Sequence, residues 1–381
     1  MERSRLLNAV RVLAAEDPDI AWGDPAVGRY VRALAGLQPA GALDNARFDL
    51  AVLQLGDRAV PLLAPHGPQG CWLTSPVVTY GQSLRDEIDR ELKGGRAILA
   101  HLASHLAEGL LRATKADRVV YVNHLLFSTS LHGRWSGDDL DEAVAALRVA
   151  FPDRAIVWRS LNLGDYAPLL ARMETAGGRR VLSRVIWRLV EPSRQWSPRT
   201  DVKADLRLAS AHALVVEPAP VPSPEELDRA LALYADIYIA KYSRTNPGYS
   251  RAFLDAAVSS GVLRLEWVRA ASGQIVAFAG DHVCEHELAS PLLGHDRTRP
   301  PAEGLYRIAM ALSVRRALAE GLAVNYSAGA GAFKRNRGAT PALEYQVVFD
   351  SHLPPWRRAG YALLAKALDA MTPTLERIAA G

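Results

Sequence analysis

The stretch Val215-Val216-Glu217-Pro218-Ala219-Pro220-Val221-Pro222 constrains this chain more than any other. Prolines at alternate positions fix φ and remove backbone donors, which bars the segment from a helix and from the middle of a sheet. A helix start follows at once: Ser223 can cap, Pro224 suits the first helical position and Glu226 completes a capping box. Leu227, Leu231, Tyr234 and Tyr238 then recur at helical spacing. The break predicts two domains, 1–212 and 213–381, and a length of 381 residues suits two.

The two parts read alike in element order. After the break, helices over about 224–241 and 250–259 precede a hairpin of 263–268 and 274–279 about Ser272-Gly273. A strand at 286–293, a helix from Gly304 to Gly321, and strands at 323–327 and 345–349 follow, the last two joined by a Gly/Lys/Arg-rich loop. Before the break, 49–55 and 59–63 form a hairpin, 71–73 a strand, 83–113 a long helix and 118–122 a strand. A helix carrying Leu140, Val144, Leu147 and Phe151 ends at Pro152, and 156–158 is a further strand. Each part is a hairpin-rich mixed sheet followed by strand–helix alternation, an α+β pattern rather than a doubly wound one.

With 49% apolar residues the chain can bury a sizeable core, which excludes a disordered scaffold. A formal net charge of +4 does not mark a dedicated nucleic-acid binder. Two distant cysteines, Cys71 and Cys284, argue against a disulfide framework and a Cys-based zinc site, and fit a reducing compartment. Met1–Arg5 leads into no apolar segment and no run approaches about 18 apolar residues, so the expectation is a cytoplasmic protein with neither signal peptide nor membrane span.

One segment carries the functional reading. Asn325-Tyr326-Ser327-Ala328-Gly329-Ala330-Gly331-Ala332-Phe333-Lys334-Arg335-Asn336-Arg337-Gly338, then Glu344-Tyr345, resembles the Gly–Phe–Lys–Arg–Gly signature of Fem-like, double-GNAT acyltransferases. Asn123–Ser130, Arg159–Asn162, Lys241–Pro247 and Leu293–Asp296 look like the same lineage. The resemblance implies tandem GNAT-like domains packed together, with the reaction site between them or on the second. It implies transfer of an activated acyl group to an amine or hydroxyl of a small-molecule acceptor. Aminoacyl-tRNA is the leading donor, as in peptidoglycan and natural-product pathways. An acyl-CoA-dependent N-acyltransferase is the alternative, and a catalytically inactive binding module the third reading. The donor is a co-substrate; no cofactor or metal is implied. Against CoA stands Asp296-Arg297-Thr298-Arg299-Pro300-Pro301-Ala302-Glu303-Gly304, where two prolines and an acid replace the amides expected to hold a pyrophosphate.

Candidate residues follow from the chemistry. Glu344 or Asp296 can take the acceptor proton, and Lys334 or Tyr345 can support the oxyanion. Lys334, Arg335 and Arg337, with Arg297, can grip donor phosphate; the ordinary alternative is a solvated basic loop. Tyr242, Ser243 and Asn246 suit either a cleft wall or a plain helix stop. Tyr80, Asn123, Ser128 and Arg159 fall at strand ends, where binding clefts are commonly lined. Trp187, Trp196 and Trp356 stand beside arginines and are candidates for stacking on a tRNA end, although core tryptophans are the more frequent case.

Overall fold

The computed structural model describes residues 10–37, 41–67 and 69–380, so the reading of Met1–Arg5 lies outside the described residues. Among the described residues, twelve strands form one mixed sheet. The first six are β1 (Arg11–Ala14), β2 (Phe48–Leu55), β3 (Arg58–Pro65), β4 (Val119–Val122), β5 (Ala155–Asn162) and β6 (Arg179–Leu189). The rest are β7 (Val215–Ala219), β8 (Arg264–Arg269), β9 (Ile275–Cys284), β10 (Glu287–His295), β11 (Ala323–Asn325) and β12 (Thr340–Phe349). Flanking helices are α1 (Pro25–Gly36), α2 (Leu84–Glu91), α3 (Gly95–Ala113), α4 (Leu140–Ala150), α5 (Ala167–Thr175) and α6 (Thr200–Ala211). They continue with α7 (Pro224–Ala235), α8 (Arg251–Ser259), α9 (Leu305–Glu320), α10 (Gly331–Asn336) and α11 (Pro355–Ala380).

The strand order is β1-β2-β3-β4-β5-β12-β6-β11-β10-β9-β8-β7. Adding six to every strand number reverses this order, so the sheet has an internal twofold correspondence. Its two parallel pairs, β4/β5 and β10/β11, correspond in the same way. The last strand of each half is exchanged: β12 inserts between β5 and β6, and β6 inserts between β12 and β11. Neither half closes its own sheet, and the arrangement is α+β with a mixed sheet. The core is shared as well. Tyr30 and Phe127 from the first half pack with Tyr249 and Phe253 from the second in one buried cluster.

Several expectations need correcting. The proline-rich stretch is in part a strand: β7 takes the sheet's outer edge, where a missing donor disrupts no ladder. Residues 71–73 form a turn, not a strand, with Thr74 N–H donating to the Cys71 carbonyl at 3.2 Å. The long helix over 83–113 is two, broken at Leu92–Gly94, where Gly94 has φ 62°. The loop after β11 contains α10, so Lys334 and Arg335 are helical rather than loop residues. The helix predicted to 241 ends in a wide π turn over Asp236–Tyr242, a local widening of the helical ladder. Among the described residues no helix is long and apolar enough to cross a membrane.

Gly338 closes α10 with φ +88°, and a Cβ there would lie 2.0 Å from the Gln195 carbonyl oxygen. Backbone cannot yield as a side-chain tip can. Gly338→Ala is expected to cost more than the ~1 kcal/mol of an αL alanine alone. Chemical denaturation reads it, and a loss no larger than that figure would show that the contact relaxes.

Candidate active site

The exchange of β6 and β12 brings Arg184 opposite Glu344 as direct cross-strand partners. Arg184 Nε donates to Glu344 Oε1 at 2.6 Å, and Nη2 donates to the Ser128 carbonyl at 2.9 Å and to Thr129 Oγ1 at 3.2 Å. The Glu344 side chain is 3% exposed and that of Arg184 19%, so the pair meets solvent through the arginine. Gln346 and Tyr80 lie alongside. Gln346 Nε2 donates to the Tyr80 hydroxyl at 3.1 Å, which donates to the Leu182 carbonyl at 3.2 Å; burial raises the phenol's pKa.

Arg159, from the outgoing end of β5, is the second guanidinium here. It packs over the rings of Trp72 at 5.4 Å and Tyr121 at 5.7 Å, and Nη1 donates to the Leu73 carbonyl at 3.2 Å. His124 Nε2 lies 2.8 Å from Nη1, but the Leu126 N–H donates to His124 Nδ1 at 2.9 Å. The ring proton therefore sits on Nε2 and faces Arg159 as a fellow donor. Burial, then the Arg159 charge, hold His124 well below its usual pKa and neutral. Burial also lowers Arg159 itself; Arg184 adds to that effect, and Glu344 opposes it. Arg184 is thus the guanidinium paired with Glu344, while Arg159 has no ion pair of its own among the described residues and feels both charges from nearby, so the seam carries more guanidinium charge than Glu344 offsets. Trp72 ties this seam to the second half through Nε1 donating to Asn246 Oδ1 at 2.9 Å.

Of the residues expected from sequence, Tyr80, Ser128, Arg159, Asn246 and Glu344 converge on this seam. Asn246 does so as a strut: its Nδ2 donates to the Tyr238 and Ser243 carbonyls, which ends the π turn. Lys334 approaches from α10, but its ammonium, 3% exposed as a residue, donates to the carbonyls of Tyr326 at 2.7 Å, Ser327 at 3.3 Å and Ala328 at 2.7 Å. The pairing of β10 with β11 ends at Ala289 and Asn325, and in the chain beyond, the Ser327 carbonyl accepts from the Trp187 N–H at 3.1 Å while a place beside the Tyr326 and Ala328 carbonyls is left to a side-chain donor. Lys334 fills that place and has no donor left for a phosphate.

The other candidates lie elsewhere. Tyr345, next to Glu344 across a bulge, turns its ring into an aliphatic core cluster beneath Arg180. Arg337 is buried in a bidentate pair with Asp205, and Arg335 packs over Trp187 at 5.4 Å. Asp296 pairs with Arg229 at 2.8 Å and accepts from the Thr298 N–H at 3.0 Å. Burial would raise its pKa, but these partners outweigh it and hold the carboxyl below its usual range. Arg297 pairs with Asp236 at 3.1 Å. Tyr242 is sandwiched between Arg90 and Lys241, and the Ser243 hydroxyl donates to Asp86 on α2. Asn123 lines a separate cavity. Trp187 and Trp196 are core residues, whereas Trp356 is half exposed beneath Lys115.

Arg184, Trp72, Tyr121 and His124 went unread in the sequence. Arg184 had a signal: flanked by Val181-Leu182 and Val185-Ile186-Trp187, an arginine so placed needs a buried acid, and Glu344 is one.

No protein-family model and no curated protein matches the chain. Solved structures similar to it include L-PGS from Bacillus licheniformis (12% identity, 60% of this chain and 79% of that one, TM-score 0.45). FemX aligns at 10% identity over 60% of this chain and 80% of its own, with a TM-score of 0.45. A tandem GNAT protein from the clavulanic acid biosynthesis pathway aligns at 14% identity over 89% and 97%, with a TM-score of 0.41. At such distances these likenesses assign no residue or reaction to this chain.

Proposed function

We propose that this chain is a Fem-like, tandem GNAT-like acyltransferase, its halves 1–212 and 213–381, acting in the cytoplasm on a small-molecule acceptor. It moves an activated acyl group, an aminoacyl group from aminoacyl-tRNA, to an amine or hydroxyl. The observation that supports this reading is the seam where Arg184 on β6 pairs with Glu344 on β12 and Arg159 on β5 adds a second, unpaired guanidinium close enough to feel both. A site with surplus guanidinium charge suits an anionic donor and a developing oxyanion.

In the reaction, the acceptor's nitrogen or oxygen attacks the donor carbonyl. Its proton passes to Glu344, and the oxyanion forms against the Arg159 and Arg184 N–H groups. The tetrahedral intermediate then expels the tRNA oxygen, which takes from Glu344 the proton it accepted and leaves as the hydroxyl, restoring the carboxylate. Glu344 becomes available as a base when the anionic donor draws Arg184 away from it. Tyr345 takes no part in this scheme, and Lys334 acts by holding the strand end.

One observation favours acyl-CoA as a second reading. Glu303, which stands where a pyrophosphate would bind, is held by Arg299 at 2.6 Å, and α9 begins at Gly304 without a side-chain cap. Its first amides are then open to a phosphate. Incubation with labelled aminoacyl-tRNA and, separately, acyl-CoA distinguishes the two. RNase-sensitive transfer is the expected result, with affinity that falls steeply as salt rises. Free-thiol release would replace the donor, and no transfer from either would overturn the enzymatic reading.

A further inference from the structure

We propose that the outward face of α3 pairs antiparallel with the same face of a second copy of this chain, across a twofold axis at Leu102. Four large apolar side chains stand in water along one side of this helix: Ile98 is 71% exposed, Leu99 68%, Leu102 57% and Leu106 67%. At the helical repeat, Ile98, Leu102 and Leu106 form one stripe, which Leu99 widens. Together they leave on the order of 500 Å² of apolar surface in water, near the upper end for a single patch on a monomer. The opposite side of the helix is committed to its own chain. Ser104 and Leu111 are buried there, and the Ser104 hydroxyl donates to the Tyr80 carbonyl at 3.1 Å.

The order of residues in the stripe identifies the partner. Outward from Leu102 the face is alike in both directions: an aliphatic residue four positions away, Ile98 or Leu106, then a glycine seven away, Gly95 or Gly109. A twofold interface is self-complementary, and an antiparallel helix pair meets that condition when its contact face reads the same from either end. In this register Leu102 meets its own copy, Ile98 meets Leu106 of the second copy, and Gly95 meets its Gly109. The glycines narrow the choice. Each is exposed, and a Cβ on either would meet nothing within 4 Å in its own chain. Gly109 lies inside a 19-residue helix, where an exposed glycine is less stable than alanine. Packing within one chain gives no reason for it, whereas a second backbone approaching at each end of the stripe does. The area also fits the centre of an interface. A standard one buries about 800 Å² per partner, so the stripe forms its core, and Ala103, His105 and Ala113, exposed beside it, begin the rim. Charges near the start of α3 are of both signs, Asp89 and Glu91 beside Lys93 and Arg96, unlike the basic polar face of a helix that lies on an anionic membrane.

The inference is independent of acyl transfer and is tested by association of the full chain. Sedimentation velocity between about 1 and 100 μM should show a reversible monomer–dimer equilibrium. Leu102→Glu sets a carboxylate against its own copy on the axis. It should weaken the dimer about 100-fold or more, with the circular dichroism of the monomer unchanged. Gly109→Ala should act in opposite directions, stabilising the helix of the monomer and weakening the dimer. The register has its own probe, with the parent as background because Cys71 is buried and Cys284 half-buried. Leu102→Cys oxidised with diamide should give a disulfide-linked dimer, since a residue on the axis meets itself, whereas His105→Cys should not. A parent that stays monomeric across that range, a Leu102→Glu dimer as tight as the parent's, or cross-linking no stronger in Leu102→Cys than in His105→Cys would each overturn the proposal. So would a monomeric parent that binds phosphatidylglycerol vesicles through Leu102, which would give the face to a membrane.

Discussion

Replacing Arg184 with methionine is expected to destabilise the protein by about 3–5 kcal/mol, because it leaves Glu344 buried with no compensating charge. The Glu344 side chain is 3% exposed and its hydrogen-bond partner in the seam is that arginine. Arg184 also holds the Ser128 carbonyl and the Thr129 hydroxyl, so the loop after β4 loosens with it. Glu344→Gln on its own should be milder, since Arg184, 19% exposed, keeps its bonds to the Ser128 carbonyl and Thr129 hydroxyl and reaches water. The double variant Arg184→Met/Glu344→Gln should recover most of the Arg184→Met loss, as replacing both members of a buried pair removes the uncompensated charge. Urea unfolding of the two single variants and the double closes the cycle. Strict additivity would mean that the pair is not coupled. Turnover adds a second readout that a purely structural pair would not move. Glu344→Gln should lose transfer at neutral pH and regain part of it at high pH, where the acceptor amine sheds its own proton. An unchanged pH–rate profile would remove Glu344 as the base and leave the pair as a brace between β6 and β12.

That pair also marks where the sequence stopped being legible. Hairpins such as β2–β3 and β8–β9 are local, written in alternation and turn residues, and they fold where the sequence predicts. Glu344, Arg159 and Ser128 were readable as polar groups at strand ends. Their convergence was not, because it depends on β12 crossing into the first half. Nothing in a strand's own residues states which neighbours it takes when the pairing spans about half the chain. The strand β6 was missed because its arginines interrupt the alternation, and each is there for an acid: Asp350 for Arg179, Glu174 for Arg180, Glu344 for Arg184 and Asp165 for Arg188. The cations of α10 were visible but misjudged. Their density suggests a ligand, yet Asp205 absorbs Arg337, and the carbonyls of Tyr326, Ser327 and Ala328 absorb Lys334.

Stability should rise with pH between about 7 and 10.5, and Lys334→Met should abolish Lys334's share of that rise. Burial, then the charge of Arg184, lower the Lys334 pKa from 10.5 to about 7. Through that window the unfolded lysine keeps its proton while the folded one releases it. The unfolded state then binds more protons, and folding gains on the order of 1 kcal/mol per pH unit. Below about 7 both states are protonated and the penalty is constant. The methionine variant loses the hydrogen bonds to Tyr326, Ser327 and Ala328; the Ser327 carbonyl keeps the Trp187 N–H, and each of the other two left buried and unpaired costs about 1–3 kcal/mol. It should therefore be less stable than the parent throughout, by a margin that widens as pH rises. Urea unfolding of parent and variant across pH 6–10 isolates the effect, since every other titrating group is common to both. A margin that stays constant would mean that the three carbonyls retain the ammonium's proton as firmly as water does. Lys334 would then be a permanent third cation beside Arg184, and the seam would carry more positive charge than its two guanidiniums supply.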